Sequence, residues 1–257
     1  MADQDYEYVT RRKFIPRRLK YPTPTRKASQ VKKKKKKHLL PAFDFMDYCP
    51  AVFGSIRNLS GIHPEDYRHS LCGERYIEFN SNSKSGAIFY YSSDRQYMIK
   101  TIPDTEANQL RHILKRYHDH IRSYPKSLLS RVYGLYAIRL STGSVSGRQV
   151  FNVIIMQNQF NTDHYIHSIF DLKGSVVGRA ASAKDMKRKT NRNTTPIVLK
   201  DCDIRSSGFK VRLGKARARR FITQLQKDAE LLCELSIVDY SLLLGIHFVD
   251  LPNPTTA

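Results

Sequence analysis

The pentapeptide Asp171-Leu172-Lys173-Gly174-Ser175 sets a cation beside a glycine and a hydroxyl at the end of a strand-like run, an arrangement suited to holding a phosphate. Taken alone it could be an ordinary turn. The basic stretch directly beyond it strengthens the phosphate reading, because Arg179, Lys184, Lys187, Arg188, Lys189 and Arg192 could meet a multiply phosphorylated group. Further on, Asp239 precedes Tyr240-Ser241-Leu242-Leu243-Leu244 in an apolar segment. A carboxylate at such a border is either a hydrogen-bonded structural acid or a poised catalytic group, and spacing does not separate the two.

Phosphoryl transfer asks for backbone donors over the phosphates, a cation on their oxygens, a carboxylate for the attacking hydroxyl and carboxylate-held Mg²⁺. Lys100 lies within Met98-Ile99-Lys100-Thr101-Ile102, on a run whose neighbours are apolar, where a lysine is rare without a counter-anion. It is either a phosphate cation or an edge lysine that snorkels to water. Glu106 opens the next helical segment, as a partner for that lysine or as a first-turn acid favoured by the helix dipole. Ser81-Asn82-Ser83-Lys84-Ser85-Gly86 could bring amides close to a phosphate, and equally reads as a polar hairpin loop.

The elements that must position these residues are set by hydrophobic period. Val52, Phe53, Ile56 and Leu59 recur at helical spacing after Phe43 to Pro50. Ala87 to Tyr91 and Gln96 to Ile102 read as a hairpin around Ser92-Ser93-Asp94-Arg95. In Glu106 to Ser123, Leu110, Ile113, Leu114, Tyr117 and Ile121 form one apolar stripe. Val132 to Arg139, Val150 to Gln157 and Tyr165 to Leu172 read as strands. A long helix with Phe221, Leu225, Ala229, Leu232 and Leu235 inward then precedes a buried strand from Val238 to Ile246. The order suits a mixed α+β fold rather than a doubly wound parallel sheet.

The 257 residues carry a net charge of +21, and it is concentrated. Residues 1–40 and residues 179–220 each hold 14 basic against 3 acidic residues, while the remainder holds 16 against 17. Such blocks attract polyanions, either nucleic acid or an acidic lipid leaflet, the latter at about 1 kcal/mol per Lys or Arg near the surface. Residues 1–40, with Lys32 to Lys37 and three prolines, have too little apolar content to order themselves and read as a disordered basic arm. The four cysteines show neither zinc nor disulfide spacing and read as reduced thiols. No apolar run approaches the roughly 20 residues of a membrane span, and no signal-peptide core is present.

The Asp171 to Arg179 stretch, read with Ile237-Val238-Asp239-Tyr240-Ser241-Leu242-Leu243-Leu244-Gly245-Ile246-His247, resembles the signature segments of the phosphatidylinositol phosphate kinases. Phe45 to Pro50, Asp66 to Leu71, Met98 to Ile102, Arg131 to Tyr136 and Leu199 to Asp203 add to the resemblance in family order. It covers the chain from about Phe43 to His247. The resemblance implies an α+β, two-lobed fold distantly related to protein kinases. Residues 41–257 would be the kinase core, with a basic face against the membrane. It implies ATP and Mg²⁺, with Gly86, Lys100 and Glu106 on the nucleotide and Lys173 on phosphate. Asp239 would be the catalytic aspartate, and Arg179, Lys187, Arg188, Lys189 and Arg192 would meet headgroup and membrane.

Two departures accompany it. The nucleotide loop keeps the single glycine Gly86, and the family's metal-binding Ile-Ile-Asp segment and activation loop have no counterpart before Ala257, so the core reads as truncated at its C-terminal side. Asp250 is a weak substitute metal ligand. The expected activity is phosphorylation of a phosphatidylinositol phosphate, 4-phosphate to 4,5-bisphosphate, by a cytoplasmic protein peripheral at the plasma or an internal membrane, with a homodimer as one assembly. A catalytically inactive anionic-membrane module is one alternative. A basic nucleic-acid-binding protein is the other, although no specific nucleic acid is expected because no recognised motif for one is present.

Overall fold

The computed structural model describes residues 1–14, 43–72, 77–79, 87–140, 149–182 and 197–251. The chain divides into two compact units, Met1–Ser123 with Ser130–Gln157, and Tyr124–Leu129 with Asn158–Ala257. The first unit is built on strands β1 (Val9–Phe14), β2 (Phe43–Tyr48), β3 (Ile77–Phe79), β4 (Phe89–Tyr91), β5 (Tyr97–Ile102), β6 (Val132–Leu140) and β7 (Gln149–Gln157). They pair in the order β1-β2-β6-β7-β5-β4-β3, each neighbour antiparallel. Helices α1 (Pro50–Leu59), α2 (Pro64–Leu71) and α3 (Asp104–Ser123) complete the unit.

The helical stripe read after Pro50 is deep at three of its four positions, with Leu59 44% exposed at the end of the helix. Val52, Phe53 and Ile56 are fully buried in α1, which packs on β6 and α3. Pro50 starts α1 where a missing amide costs nothing. In α3 the buried positions are Ala107, Leu114, Tyr117 and Ile121, joined by His118 and His120. Gly134, at an irregularity in the β6–β7 pairing, lies close under the Tyr136 ring, which a Cβ at 2.6 Å would have to displace.

The β4–β5 turn is built around Asp94. Its Oδ1 accepts from Ser70 Oγ at 2.6 Å, Ser92 Oγ at 2.6 Å and the Gln96 amide at 3.1 Å. Burial alone would raise the Asp94 carboxyl, but those donors outweigh it and hold the pKa below the ordinary value.

The basic arm is corrected over its first fourteen residues. Asp3–Tyr6 forms a 3-10 turn, and β1 pairs with β2 from Val9↔Tyr48 to Phe14↔Phe43. The physical reason is that β2 offers an edge, and Tyr6 finds a buried partner. Its hydroxyl lies 2.8 Å from His118 Nδ1, while Ser55 Oγ lies 2.9 Å from Nε2 of the same ring. Cys49 Sγ donates to the Tyr6 carbonyl at 2.7 Å. Ladder bonds and these contacts do what apolar content could not. Residues 15–42, including Lys32 to Lys37, lie outside the described residues.

The second unit holds β8 (Ser168–Leu172), β9 (Val198–Leu199), α4 (Asp201–Ser206), α5 (Lys215–Glu234) and β10 (Leu242–Ile246). Its sheet runs β10-β8-β9, with β10 antiparallel and β9 parallel to β8. The strand expected to be buried from Val238 is shorter and only half-buried: Val238 is 81% exposed and Leu243 46%. On α5 the expected inner residues Phe221, Leu225, Ala229, Leu232 and Leu235 are half-buried, and the fully buried positions are Leu231 and Asp228. Asp228 accepts from Ser127 Oγ at 2.7 Å, the Leu128 amide at 2.7 Å and Gln224 Nε2 at 2.9 Å. The fold is mixed α+β. Among the described residues no helix is long and apolar enough to cross a membrane.

Candidate active site

The β8–β10 ladder explains how two residues far apart in sequence meet. Leu172 pairs with Leu242, so Lys173, one step past β8, and Asp239, three residues before β10, emerge at the same end of the ladder. There the Lys173 ammonium donates to Asp239 Oδ1. The Lys173 side chain is a quarter exposed, whereas that of Asp239 is 80% exposed. The Lys173 hydrogen bond, then its charge, hold the Asp239 carboxyl below the ordinary range, so Asp239 is ionised at neutral pH. Asp239 has φ 61°, a left-handed conformation that aspartate tolerates better than most residues, and Gly174 has φ 71°. Both turns present backbone bends beside the ion pair.

A second carboxylate, which sequence reasoning did not single out, organises the base of this site. Asp201 opens α4 and is buried, with Oδ1 accepting from the Lys173 amide at 3.0 Å and the Gly174 amide at 2.8 Å. Its Oδ2 accepts from Arg179 Nε at 2.8 Å. Burial alone would push the Asp201 carboxyl up. The Arg179 guanidinium and the Gly174 and Lys173 amides outweigh burial and hold it at about 2. Arg179 Nη2 also donates to Asp171 Oδ1 at 2.9 Å and to the Asp171 carbonyl. Nearby in α4, Asp203 accepts from the Ala181 amide at 2.9 Å and the Lys200 amide at 2.8 Å, pinning the segment beyond Arg179.

Arg179 therefore corrects the headgroup role read for it. The side chain is 12% exposed and its fork is committed to two carboxylates, which leaves its charge balanced inside the unit. Its partner Asp201 sits 22 positions along the chain. Only Leu199-Lys200-Asp201-Cys202-Asp203 as a family segment pointed there.

In the first unit β5 sets Lys100 opposite Phe89 and Ile154, mid-sheet. Its ammonium lies 3.4 Å from Glu106 Oε2 in the first turn of α3, and 5.9 Å from the Phe89 ring centroid. The pair is part-exposed, with side chains 27% and 51% exposed. The structure thus brings Lys100 to Glu106 and Lys173 to Asp239. Gly86 of the candidate nucleotide loop, and Lys184, Lys187, Arg188, Lys189 and Arg192 of the basic loop, lie outside the described residues.

The donors for Mg²⁺ are sparse. Among the described residues no group of three His, Cys, Asp or Glu side chains could hold a metal ion. Asp250 lies past the other end of β10 from Asp239, and the five strand residues between span roughly 17 Å, too far to share one ion.

The site residues thus form two lysine–carboxylate pairs, one at a strand end braced by a buried carboxylate and one mid-sheet on a helix glutamate. Residues 70–256 match the family described as Phosphatidylinositol-4-phosphate 5-Kinase, and the chain belongs to that family. A probable phosphatidylinositol phosphate kinase of Dictyostelium discoideum is 44% identical over 217 residues, covering 82% of this chain and 29% of that protein. Phosphatidylinositol 4-phosphate 5-kinase 4 of Arabidopsis thaliana is 41% identical, covering 82% and 26%. The phosphatidylinositol 4-phosphate 5-kinase of Plasmodium falciparum is 35% identical, covering 80% and 12%. The chain spans less than a third of the length of these curated relatives.

Proposed function

We propose that this chain carries out ATP-dependent phosphorylation of a phosphatidylinositol phosphate headgroup, converting the 4-phosphate to the 4,5-bisphosphate at an anionic membrane surface. The observation that carries the reading is the Lys173–Asp239 pair at one end of the β8–β10 ladder, in a chain of this family. In this reading the two compact units correspond to the two lobes of a kinase-like fold.

The inositol hydroxyl oxygen would bond to the γ-phosphorus of ATP while the bridging bond to ADP breaks, and the hydroxyl proton would pass to Asp239. A carboxylate held below its ordinary pKa is a weak base. Its work is to orient the hydroxyl and accept the proton late, which suits the loose transition state of phosphoryl transfer. Lys173 would neutralise charge on the transferred group, and Lys100, aimed by Glu106, would hold nucleotide phosphates. Gly86 would approach those phosphates through its backbone. Lys187, Arg188, Lys189 and Arg192 would meet the lipid headgroup and leaflet. Mg²⁺ normally shields the phosphate oxygens in such transfers, held by one or two carboxylates and by the phosphates themselves.

The test is transfer of label from γ-radiolabelled ATP to vesicles containing phosphatidylinositol 4-phosphate, with the lipids separated afterwards. Labelled 4,5-bisphosphate is expected, falling on the order of 10²- to 10⁴-fold with Asp239→Asn. A folded chain that binds the vesicles and transfers no label would establish the non-catalytic membrane module instead.

A further inference from the structure

Among the carboxylates at the Lys173 end of the ladder, Asp201 has the least exposed side chain, and its bonds reach the backbone rather than the Lys173 ammonium. One oxygen takes two consecutive amides and the other takes a guanidinium. Arg179 in turn grips Asp171 by side chain and carbonyl, so that the end of β8, the Gly174 turn and the start of α4 are tied through one charge network. The direction in which Lys173 leaves the backbone is set inside that network. Two adjacent amides and a buried guanidinium have no comparable acceptor if the carboxylate goes, and the turn would then open toward water to satisfy them.

We propose that Asp201, held by Arg179, is a positioning residue that keeps the Lys173 ammonium on the Asp239 carboxylate. Its consequence for rate rests on the proposed phosphotransfer, but the contact it governs exists without turnover. Asparagine at 201 has a single acceptor oxygen, its other group being an NH2 that only donates. It can serve the two amides or the guanidinium, not both, and the volume is unchanged.

The experiment measures how fast each lysine of the folded chain is modified by a limiting amine-directed reagent, read by peptide mass spectrometry. Asp201→Asn should raise the labelling rate of Lys173 severalfold, toward its rate in Asp239→Asn, with Lys100 unchanged as the internal control. In the phosphotransfer assay Asp201→Asn should lower kcat, and adding it to Lys173→Ala should lower kcat no further, because a residue acting through Lys173 has nothing left to act on. A purely structural role would instead multiply the two losses. Wild-type labelling of Lys173 in a folded Asp201→Asn chain, or multiplicative loss in the double variant, overturns the proposal. Should Asp201→Asn not fold, Arg179→Lys reads the same contact, since an ammonium keeps the charge but cannot fork onto Asp171 and Asp201 together. Should the wild type transfer no phosphate, the proposed function falls and the labelling ratio still decides the role of Asp201.

Discussion

The two units are held together by different materials. In the first, Val52, Phe53, Ile56, Leu114, Ile121 and Leu135 are buried to 1% exposure or less, and the long strands β6 and β7 lie at the centre of the sheet. In the second the buried apolar residues among those described are Phe170, Leu199 and Leu231, and two of its buried residues are the carboxylates Asp201 and Asp228. Each carboxylate gathers donors from segments far apart in sequence, Asp201 from residues 173, 174 and 179, Asp228 from residues 127, 128 and 224. An apolar core tolerates no vacancy, whereas a carboxylate hub tolerates no loss of charge. The same contrast runs through the two candidate lysines: Lys100 is placed by the sheet, and Lys173 by a turn that a buried anion holds.

If that division is right, removing volume should damage the first unit most. Phe53→Ala should cost about 3–5 kcal/mol in denaturant unfolding, while Leu243→Ala on the half-exposed β10 should cost roughly 0.5 kcal/mol or less. Equal losses at the two positions would erase the distinction. Next in size, Asp228→Ala leaves the Leu128 amide and Ser127 hydroxyl without their acceptor and should cost about 2–3 kcal/mol, with faster amide exchange confined to the second unit. A neutral result there would mean that apolar packing carries this unit as well.

Lys100→Met keeps the apolar stem and removes the cation. It should weaken nucleotide binding by roughly 10- to 100-fold, with little change in thermal midpoint, because a sheet-placed lysine is not a structural hub. Unchanged nucleotide affinity in that folded variant would reduce the Lys100–Glu106 pair to a surface contact.

The smallest effect is one of pH. Burial lowers the pKa of His118 below its ordinary 6.5, so the unfolded chain takes the proton more readily than the folded one. The stability that neutral His118 supplies is present above pH 6.5 and is lost as pH falls through its folded pKa. Asp201, held at about 2, contributes stability present above about 4 and lost only as pH falls toward 2. Acid should therefore loosen the surroundings of His118 well before it releases Asp201. Tyr6→Phe, which removes the hydroxyl from His118, should cost about 1 kcal/mol and leave the near-neutral slope in place, because burial rather than that hydroxyl lowers the His118 pKa. Loss of the His118 and Asp201 contacts across one and the same pH step would break the comparison.

Much of the first unit was legible because its periodicity reports burial directly. The α1 and α3 stripes, the β4–β5 hairpin and the β6 and β7 runs all appear where hydrophobic spacing puts them. Other elements of that unit, α2 and β1 among them, carried no such signal. In α2, Pro64 to Leu71, Tyr67 and Ser70 are the buried residues among eight, too few to show a period. β1 is rich in Arg and Lys and is ordered by backbone pairing, which composition does not register. The three leucines before Gly245 overstated burial, because β10 is an outer strand of a small sheet. At the candidate site, spacing alone left Asp239 and Lys173 as either structural or chemical, and the resemblance singled them out together. Asp201 and the true partners of Arg179 were hidden because a buried ion pair between distant residues leaves no local pattern.

β1 has a further consequence for association. The outermost positions of the seven-stranded sheet are β1 and the three-residue β3, one crowded with charge in sequence and the other very short. Both are ways of making a sheet edge a poor template for another chain. Behind β1 lies β2, Phe43-Asp44-Phe45-Met46-Asp47-Tyr48, three of whose six residues are aromatic. The Thr10-Arg11-Arg12-Lys13 stretch thus stands as a sentinel over an adhesive strand, and a chain stripped of it would present the kind of edge on which sheets grow from one molecule into the next.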